Sequence, residues 1–166
     1  SVVIPTFGRD DVLIQTLSDC LRELGSDGGE ILVVDQTPDH NPPTLARLQE
    51  LEQADRIRWV RLEQPSLTRA RNCGLCAARN GIVLFLDDDV RLPEGFFVEH
   101  MKWYADEKIA AVTGQVFNCQ DPSHPPPLTD PQHTTTRHSQ VKHPCVANNI
   151  SGGNHSIRRS VAVAIG

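Results

Sequence analysis

Residues 82–90 read Ile-Val-Leu-Phe-Leu-Asp-Asp-Asp-Val, and this stretch limits what the chain can fold into more than any other. Five consecutive apolar residues cannot alternate between core and water. They predict a strand buried on both faces, as in the parallel sheets of α/β domains. Three carboxylates follow where that strand ends, and the carboxyl edge of an open α/β sheet is where ligands bind. Adjacent acids repel one another unless a cation or hydrogen-bond donors offset the charge. Hard divalent cations such as Mg2+ or Mn2+ prefer carboxylate oxygens. An extended backbone would send Asp87 and Asp89 to one side and Asp88 to the other. Taken alone, the acid run fits a solvated turn capping the next helix equally well.

The rest of the chain separates the two readings. Residues 2–5, Val-Val-Ile-Pro, form a short apolar strand followed by Thr6 and Arg9; residues 30–34 form a second that ends at Asp35. Residues 57–62 alternate apolar and polar, as a half-exposed strand does. Leu13, Leu17 and Leu24 follow helical spacing from a cap at Asp10 to a stop at Gly25, and Leu45, Leu48 and Leu51 mark a second helix after a loop running to Pro43. Ser66 caps a third helix, whose small residues Ala70, Gly74, Ala77 and Ala78 permit close packing on a sheet. A fourth helix follows Pro93-Glu94, and residues 110–117 read as a further strand. Alternating strand and helix predicts an α/β fold, a mostly parallel sheet flanked by helices with right-handed crossovers. Thr6, Arg9, Asp35 and the Asp87–Asp89 run then share one edge, which favours a binding site over a solvated turn.

At 166 residues the chain has the size of one domain. Its net charge of -5 gives no basic footprint, so nucleic acid is not an expected partner. No apolar run reaches membrane-spanning length. Five cysteines without framework spacing suggest reduced thiols and a cytoplasmic setting, and Cys73-x-x-Cys76, inside a helical pattern, reads as a pair of buried structural thiols. The chain opens inside an apolar run without an initiator Met and stops at Ala164-Ile165-Gly166, so both ends are expected to be cut. Residues 120–144 are rich in Pro, His and Thr; His124, His133, His138 and His143 fit no common metal spacing. Beyond them, Gly152-Gly153-Asn154 offers a close backbone approach and a side-chain amide. The expected organisation is an α/β core over 1–118, a variable loop over 119–147, and the start of an acceptor-side subdomain over 148–166.

Five pieces occur in an order that resembles one known family: Ser1 through Arg9, the strand ending at Val34-Asp35, Ala70-Arg71-Asn72-Cys73-Gly74, Leu86-Asp87-Asp88-Asp89, and residues 153–159. Together they are similar to the family 2 glycosyltransferases of the GT-A, Rossmann-like fold, with the C-terminal part of that domain missing. The resemblance implies an inverting transfer of a sugar from a nucleotide-diphospho-sugar, UDP-sugar above others, to an acceptor hydroxyl. By carry-over, Pro5, Thr6, Arg9, Asp35, Arg71 and Asp88 would line the nucleotide, with Asp35 accepting from a uracil-type ring N–H. Asp89, supported by Asp87, would hold Mn2+ or Mg2+ on the diphosphate. Gly153 and Asn154 would lie on the donor-sugar or acceptor side. The acceptor would be a glycan, a lipid-linked group or a small molecule. The protein would work in the cytoplasm, or at the cytoplasmic membrane face through parts outside this segment.

An inverting transferase needs a carboxylate that takes the acceptor proton from the face opposite the leaving group. In the family that acid follows the Gly-rich element, whereas this chain has no Asp or Glu after Asp130, and His155 is only a geometrical substitute. The catalytic base is therefore expected beyond Gly166. Two rivals remain at this level. A nucleotidyltransferase would show a Gly-rich loop after its first strand, where Thr6-Phe7-Gly8-Arg9 has one Gly. A nucleotide-sugar-binding domain without catalysis would also lack the base.

Overall fold

The computed structural model describes residues 1–25, 28–114, 116 and 152–165. The elements run β1 (Val2–Thr6), α1 (Asp10–Leu24), β2 (Ile31–Asp35), α2 (Pro42–Gln53), β3 (Arg58–Arg61), α3 (Leu67–Ala77) and β4 (Ile82–Leu86), then α4 (Phe96–Met101), a 3₁₀ turn (Lys102–Ala105), β5 (Ala111–Thr113), β6 (Asn154–Arg158) and α5 (Arg159–Ile165). The described strands form one sheet in the order β3-β2-β1-β4-β6-β5. The β1, β2, β3 and β4 pairings are parallel, while β6 lies antiparallel to both β4 and β5. The expected mostly parallel, helix-flanked sheet is the observed one.

The apolar runs form central strands because both of their faces are covered. Val2, Ile4, Ile31, Val33, Leu84 and Leu86 pack against Leu13, Leu17 and Cys20 of α1 and Leu48 and Leu51 of α2. The alternate residues Val3, Leu32, Val34, Val83 and Phe85 pack on the other side against Ala70 of α3 and Ala78 just beyond it. Each such aliphatic side chain contributes about 1.5–3 kcal/mol by leaving water. The small residues of α3 matter at Gly74, where an added Cβ would stand 2.2 Å from Val3 Cγ1.

Four local readings change. Asp10, expected to cap α1, is its first helical residue, and its carboxylate is taken by His40 and Asn41 instead of the helix. The loop expected up to Pro43 is already helical at Pro42: Asn41 caps α2 by accepting from Thr44 N, and proline at the first helical position loses no hydrogen bond. The CxxC thiols are not both buried. Cys73 is half-buried and Cys76 exposed, because Cys76 lies about 200° around the helix from the sheet-facing Gly74. Cys20 is buried, and its burial pushes the thiol up to about 12. Residues 154–158, read only as part of a Gly-rich element, form the strand between β4 and β5. The residues expected to form the variable loop, including His124, His133, His138 and His143, lie outside those described. The described part of the 148–166 segment belongs to the same sheet as β4. Among the described residues, no helix is long and apolar enough to cross a membrane.

Candidate active site

Thr6 and Asp35 are register partners at the ends of β1 and β2, and β4 runs parallel on the other side of β1, so all three strand ends point to one edge. At that edge β4 stops at Leu86 and the chain turns at Asp88 and Asp89. Helix α1 fixes this turn with two buried side chains on one face. Thr16 Oγ1 lies 2.9 Å from the carbonyls of both Asp88 and Val90. Asp19 accepts from Arg91 Nε at 2.6 Å, from Leu92 N at 3.1 Å and from Arg22 Nη1 at 2.6 Å. The acid run is thus held on a rigid helix rather than left as a free loop.

The three acids have different surroundings. Asp87 continues the strand alternation onto the α3 side, where Arg71 Nη2 stands 3.3 Å from its Oδ1. The same Nη2 donates to Gly152 O at 2.7 Å, and Asp87 N donates to Gly153 O at 3.3 Å. An added Cβ at Gly153 would sit 2.0 Å from Asp87 Oδ2, so only glycine allows this approach. Asp88 lies on the α1 side. Burial pushes its carboxyl up and the neighbouring Asp89 charge adds to this, against opposing effects from Thr6 and Arg9. The turn ends the strand alternation before Asp89. Its partner is therefore Arg9, with Nη2 3.9 Å away and both side chains about half exposed, and not the Arg71 that faces Asp87.

At this edge buried Arg71 Nε has no hydrogen-bond partner among the described residues, and buried Thr6 Oγ1 has none beyond its interaction with the Asp88 carboxyl. Buried donors and acceptors are normally paired, so such atoms mark where a polar ligand would complete the structure.

Asp35 and Asn154 face inward. Asp35 is 2% exposed; its Oδ2 meets Trp59 Nε1 at 2.8 Å and His40 Nε2 at 2.7 Å, and its Oδ1 accepts from Thr37 N at 2.8 Å. The other nitrogen of His40 contacts Asp10, which also accepts from Asn41 N. Burial opposes a charge on His40, but Asp35 and Asp10 outweigh it and raise the ring above its ordinary value. Asn154 is buried with its Oδ1 2.9 Å from His100 Nε2 on α4. Pro5 is buried within β1, one residue in from the edge. His155 stacks on Phe85 with ring centroids 4.9 Å apart, which places it on the sheet face rather than at the acid turn.

Sequence reasoning had not singled out Thr16, Asp19, His40 or His100. Apart from His40 with Asp35 and Asp19 with Arg22, their partners lie tens of residues away, so little local pattern marks them; the nearest signal was a lone histidine in the apolar Phe-Phe-Val-Glu-His-Met helix. A cavity of about 910 Å³ opens at the amino ends of β1 and β4, lined by Val2, Ile82, Phe97 and Met101 among others, at the opposite edge of the sheet from the acids.

Residues 1–166 match the family model described as glycosyl transferase family 2. The chain belongs to that family. It is 28% identical over 95 residues to the poly(ribitol-phosphate) β-N-acetylglucosaminyltransferase TarP of Staphylococcus aureus (strain N315), covering 57% of this chain and 29% of that protein. The mannosyltransferase PcManGT from Pyrobaculum calidifontis, solved in complex with GDP-Man and Mn2+, superposes with a TM-score of 0.70 at 19% identity, over 99% of this chain and 46% of that one. S. aureus TarS 1–349 superposes with a TM-score of 0.74 at 16% identity, over 99% of this chain and 48% of that one. At these identities the superpositions speak for the fold, which is GT-A. The family 2 chain described here spans about half the length of those solved structures and less of TarP.

Proposed function

We propose that this family 2 chain forms the donor-binding part of an inverting glycosyltransferase that takes a sugar from a nucleotide-diphospho-sugar, a UDP-sugar first, and passes it to an acceptor hydroxyl. The observation that carries this reading is the acid turn at the carboxyl edge, with the orphaned Arg71 Nε beside it. Mn2+ or Mg2+ fits the donor set. Asp87 and Asp89 are hard oxygen donors about half exposed to solvent, and no three His, Cys, Asp or Glu among the described residues gather into a metal site on their own. Magnesium-like ions are held in this way, by one or two carboxylates with substrate phosphates completing the shell. When bound, the ion would supply charge stabilisation to the departing diphosphate.

The chain's own residues have distinct tasks. Asp89 would anchor the ion with Asp87 in support. Arg9 and Arg71 place positive charge beside the diphosphate, where it offsets the developing negative charge. Thr6 offers its hydroxyl and Asp88 its carboxyl to the nucleoside, with Pro5 one residue behind Thr6 on β1. A uracil-type ring N–H reaching Asp35 would fall on Oδ1, which holds one donor where Oδ2 holds two. Gly153 and Asn154 frame the donor-sugar or acceptor side, Gly153 by its contact with Asp87. The acceptor class remains a glycan, lipid-linked group or small molecule; the curated relative, by its name, acts on poly(ribitol phosphate). The free thiols Cys20, Cys73 and Cys76 support a cytoplasmic setting.

Calorimetric titration of UDP and UDP-sugars into the full chain, with and without Mn2+, tests the reading. Metal-dependent binding that weakens at least about tenfold in Asp89→Asn is expected, in line with losing a charged contact. Binding indifferent to both Mn2+ and Asp89 would overturn it. Metal-dependent binding without sugar transfer to any acceptor would favour the non-catalytic domain.

A further inference from the structure

The acid turn is not supported by α1 alone. Behind β6, away from the open edge, a closed chain of hydrogen bonds joins α4 to the strand that carries Gly153. His100, 4% exposed, has both ring nitrogens engaged: Nδ1 lies 2.9 Å from Ser156 Oγ and Nε2 lies 2.9 Å from Asn154 Oδ1. An amide oxygen only accepts, so Nε2 carries the hydrogen. Tyr104 donates its hydroxyl to Ser156 Oγ at 2.9 Å, which leaves the Ser156 hydrogen free to point at Nδ1. The ring is therefore neutral and in a single tautomer. Burial, with the neighbouring His155 adding to it, pushes His100 below its ordinary value against the pull of Asn154.

Asn154 passes this order to the site. Its side-chain amide fits only because Gly114 on the adjoining segment has no side chain, since a Cβ there would stand 2.3 Å from Asn154 Nδ2. Its carbonyl accepts from Gly114 N at 3.0 Å and from Thr113 Oγ1 at 3.2 Å. The residue before it, Gly153, accepts from Asp87 N and packs its α-carbon against the Asp87 carboxylate. A continuous path of contacts thus runs from His100 through Asn154 and Gly153 to the first acid of the turn.

We infer that His100 is a positioning residue for the donor site: by donating to Asn154 it holds the Gly152–Gly153 turn against Asp87 and so fixes where the metal-facing carboxylate points. Its effect on donor binding rests on the reading given under Proposed function, whereas its effect on the turn does not. The distinction between the two ring nitrogens makes the idea testable. Gln places an amide nitrogen near the Nε2 position and can keep the bond to Asn154. Asn reaches only as far as Nδ1 and loses it, and Phe keeps the ring volume with no bond at all.

The experiment compares wild type, His100→Gln, His100→Asn and His100→Phe in the full chain. Amide hydrogen exchange at Asp87 and Gly114 is followed without ligand, and Mn2+-dependent UDP affinity is measured on the same samples. His100→Asn and His100→Phe are expected to speed exchange at both amides and weaken UDP about tenfold, as loss of a buried hydrogen bond would. His100→Gln is expected to stay within about threefold of wild type on both counts, because the bond to Asn154 is retained. Equal effects of Gln and Asn, or a loss of thermal stability with both amides and affinity unchanged, would overturn the inference. If wild type fails to bind UDP, the donor-site reading fails, and the exchange pattern still decides the positioning role. Imidazole nitrogen NMR on wild type adds a check that needs no variant: the Nε2–H tautomer is expected, and the Nδ1–H tautomer would refute the hydrogen-bond order.

Discussion

Replacing Asp19 by asparagine keeps the shape of the side chain and removes its charge. The native carboxylate takes Arg91 Nε at 2.6 Å, Arg91 Nη2 at 3.4 Å, Arg22 Nη1 at 2.6 Å and Leu92 N at 3.1 Å, so its two oxygens serve four donors from two segments. Asparagine retains one oxygen and turns an NH2 group toward a guanidinium. A hydrogen bond to a charged group contributes about 1.5–3 kcal/mol. Both arginines are about half exposed and regain water on release, which reduces the loss, so a total near 2 kcal/mol is expected. With a urea dependence of about 2 kcal/mol per molar for a small domain, the unfolding midpoint should drop by about 1 M.

The pH dependence sharpens the test. Burial alone would raise the Asp19 carboxyl, but Arg91, Arg22 and the Leu92 N–H together hold it below its ordinary value. Its stabilisation is then present above the unfolded pKa of about 3.9 and is lost as pH falls toward the folded value. Urea unfolding of both proteins at pH 7 and at about pH 3 should therefore show a gap that narrows in acid. A gap below about 0.5 kcal/mol at pH 7, or one unchanged at low pH, would refute the assignment of Asp19 as the charged anchor of the acid turn.

Gly153→Ala would put a methyl 2.0 Å from Asp87 Oδ2. Overpacking of this kind costs about 1–3 kcal/mol, and adding Asp87→Ala, which removes the clashing carboxylate, should recover part of the stability, measurable in a double-variant unfolding cycle. The two buried histidines should tilt stability in opposite directions near neutral pH. His40 is raised, by Asp35 and Asp10 against burial, so its contribution is full below about pH 6.5 and fades as pH rises through the folded value. His100 is lowered by burial, so its penalty appears as pH falls below about 6.5. Unfolding curves from pH 5 to 9 should lose the alkaline decline in His40→Gln and the acid decline in His100→Gln.

The central strands were legible because burial on both faces leaves a continuous apolar run, as in residues 82–86, and α3 because Ser66 and the small residues mark its cap and its packed side. The acid turn was legible as charge at a strand end. What the sequence concealed was orientation. Alternation carried Asp87 and Asp88 to opposite sides as expected, but the turn then gave Asp89 a partner the strand rule could not supply. Asp35 stands at the expected edge, yet Trp59, His40 and Thr37 turn its carboxylate inward. The strand β6 escaped notice because its core-facing residues, Asn154 and Ser156, are polar, and their burial makes sense only once His100 and Tyr104 are placed beside them.

The position of β6 also bears on the order of assembly. Strands β1 to β4 all leave the ribosome before β6, and they can form the parallel sheet among themselves, although β1 pairs with β4 across 82 residues (Val2 with Leu84, 84 minus 2). The neighbour of β4 on its other side begins at Asn154, 68 residues after Leu86 (154 minus 86), and antiparallel pairing waits for that strand to arrive. A half-made chain would therefore hold its parallel sheet while the backbone bond from Asp87 to Gly153 was still unmade. Synthesis would reach a folded-looking intermediate before it reached a competent donor edge.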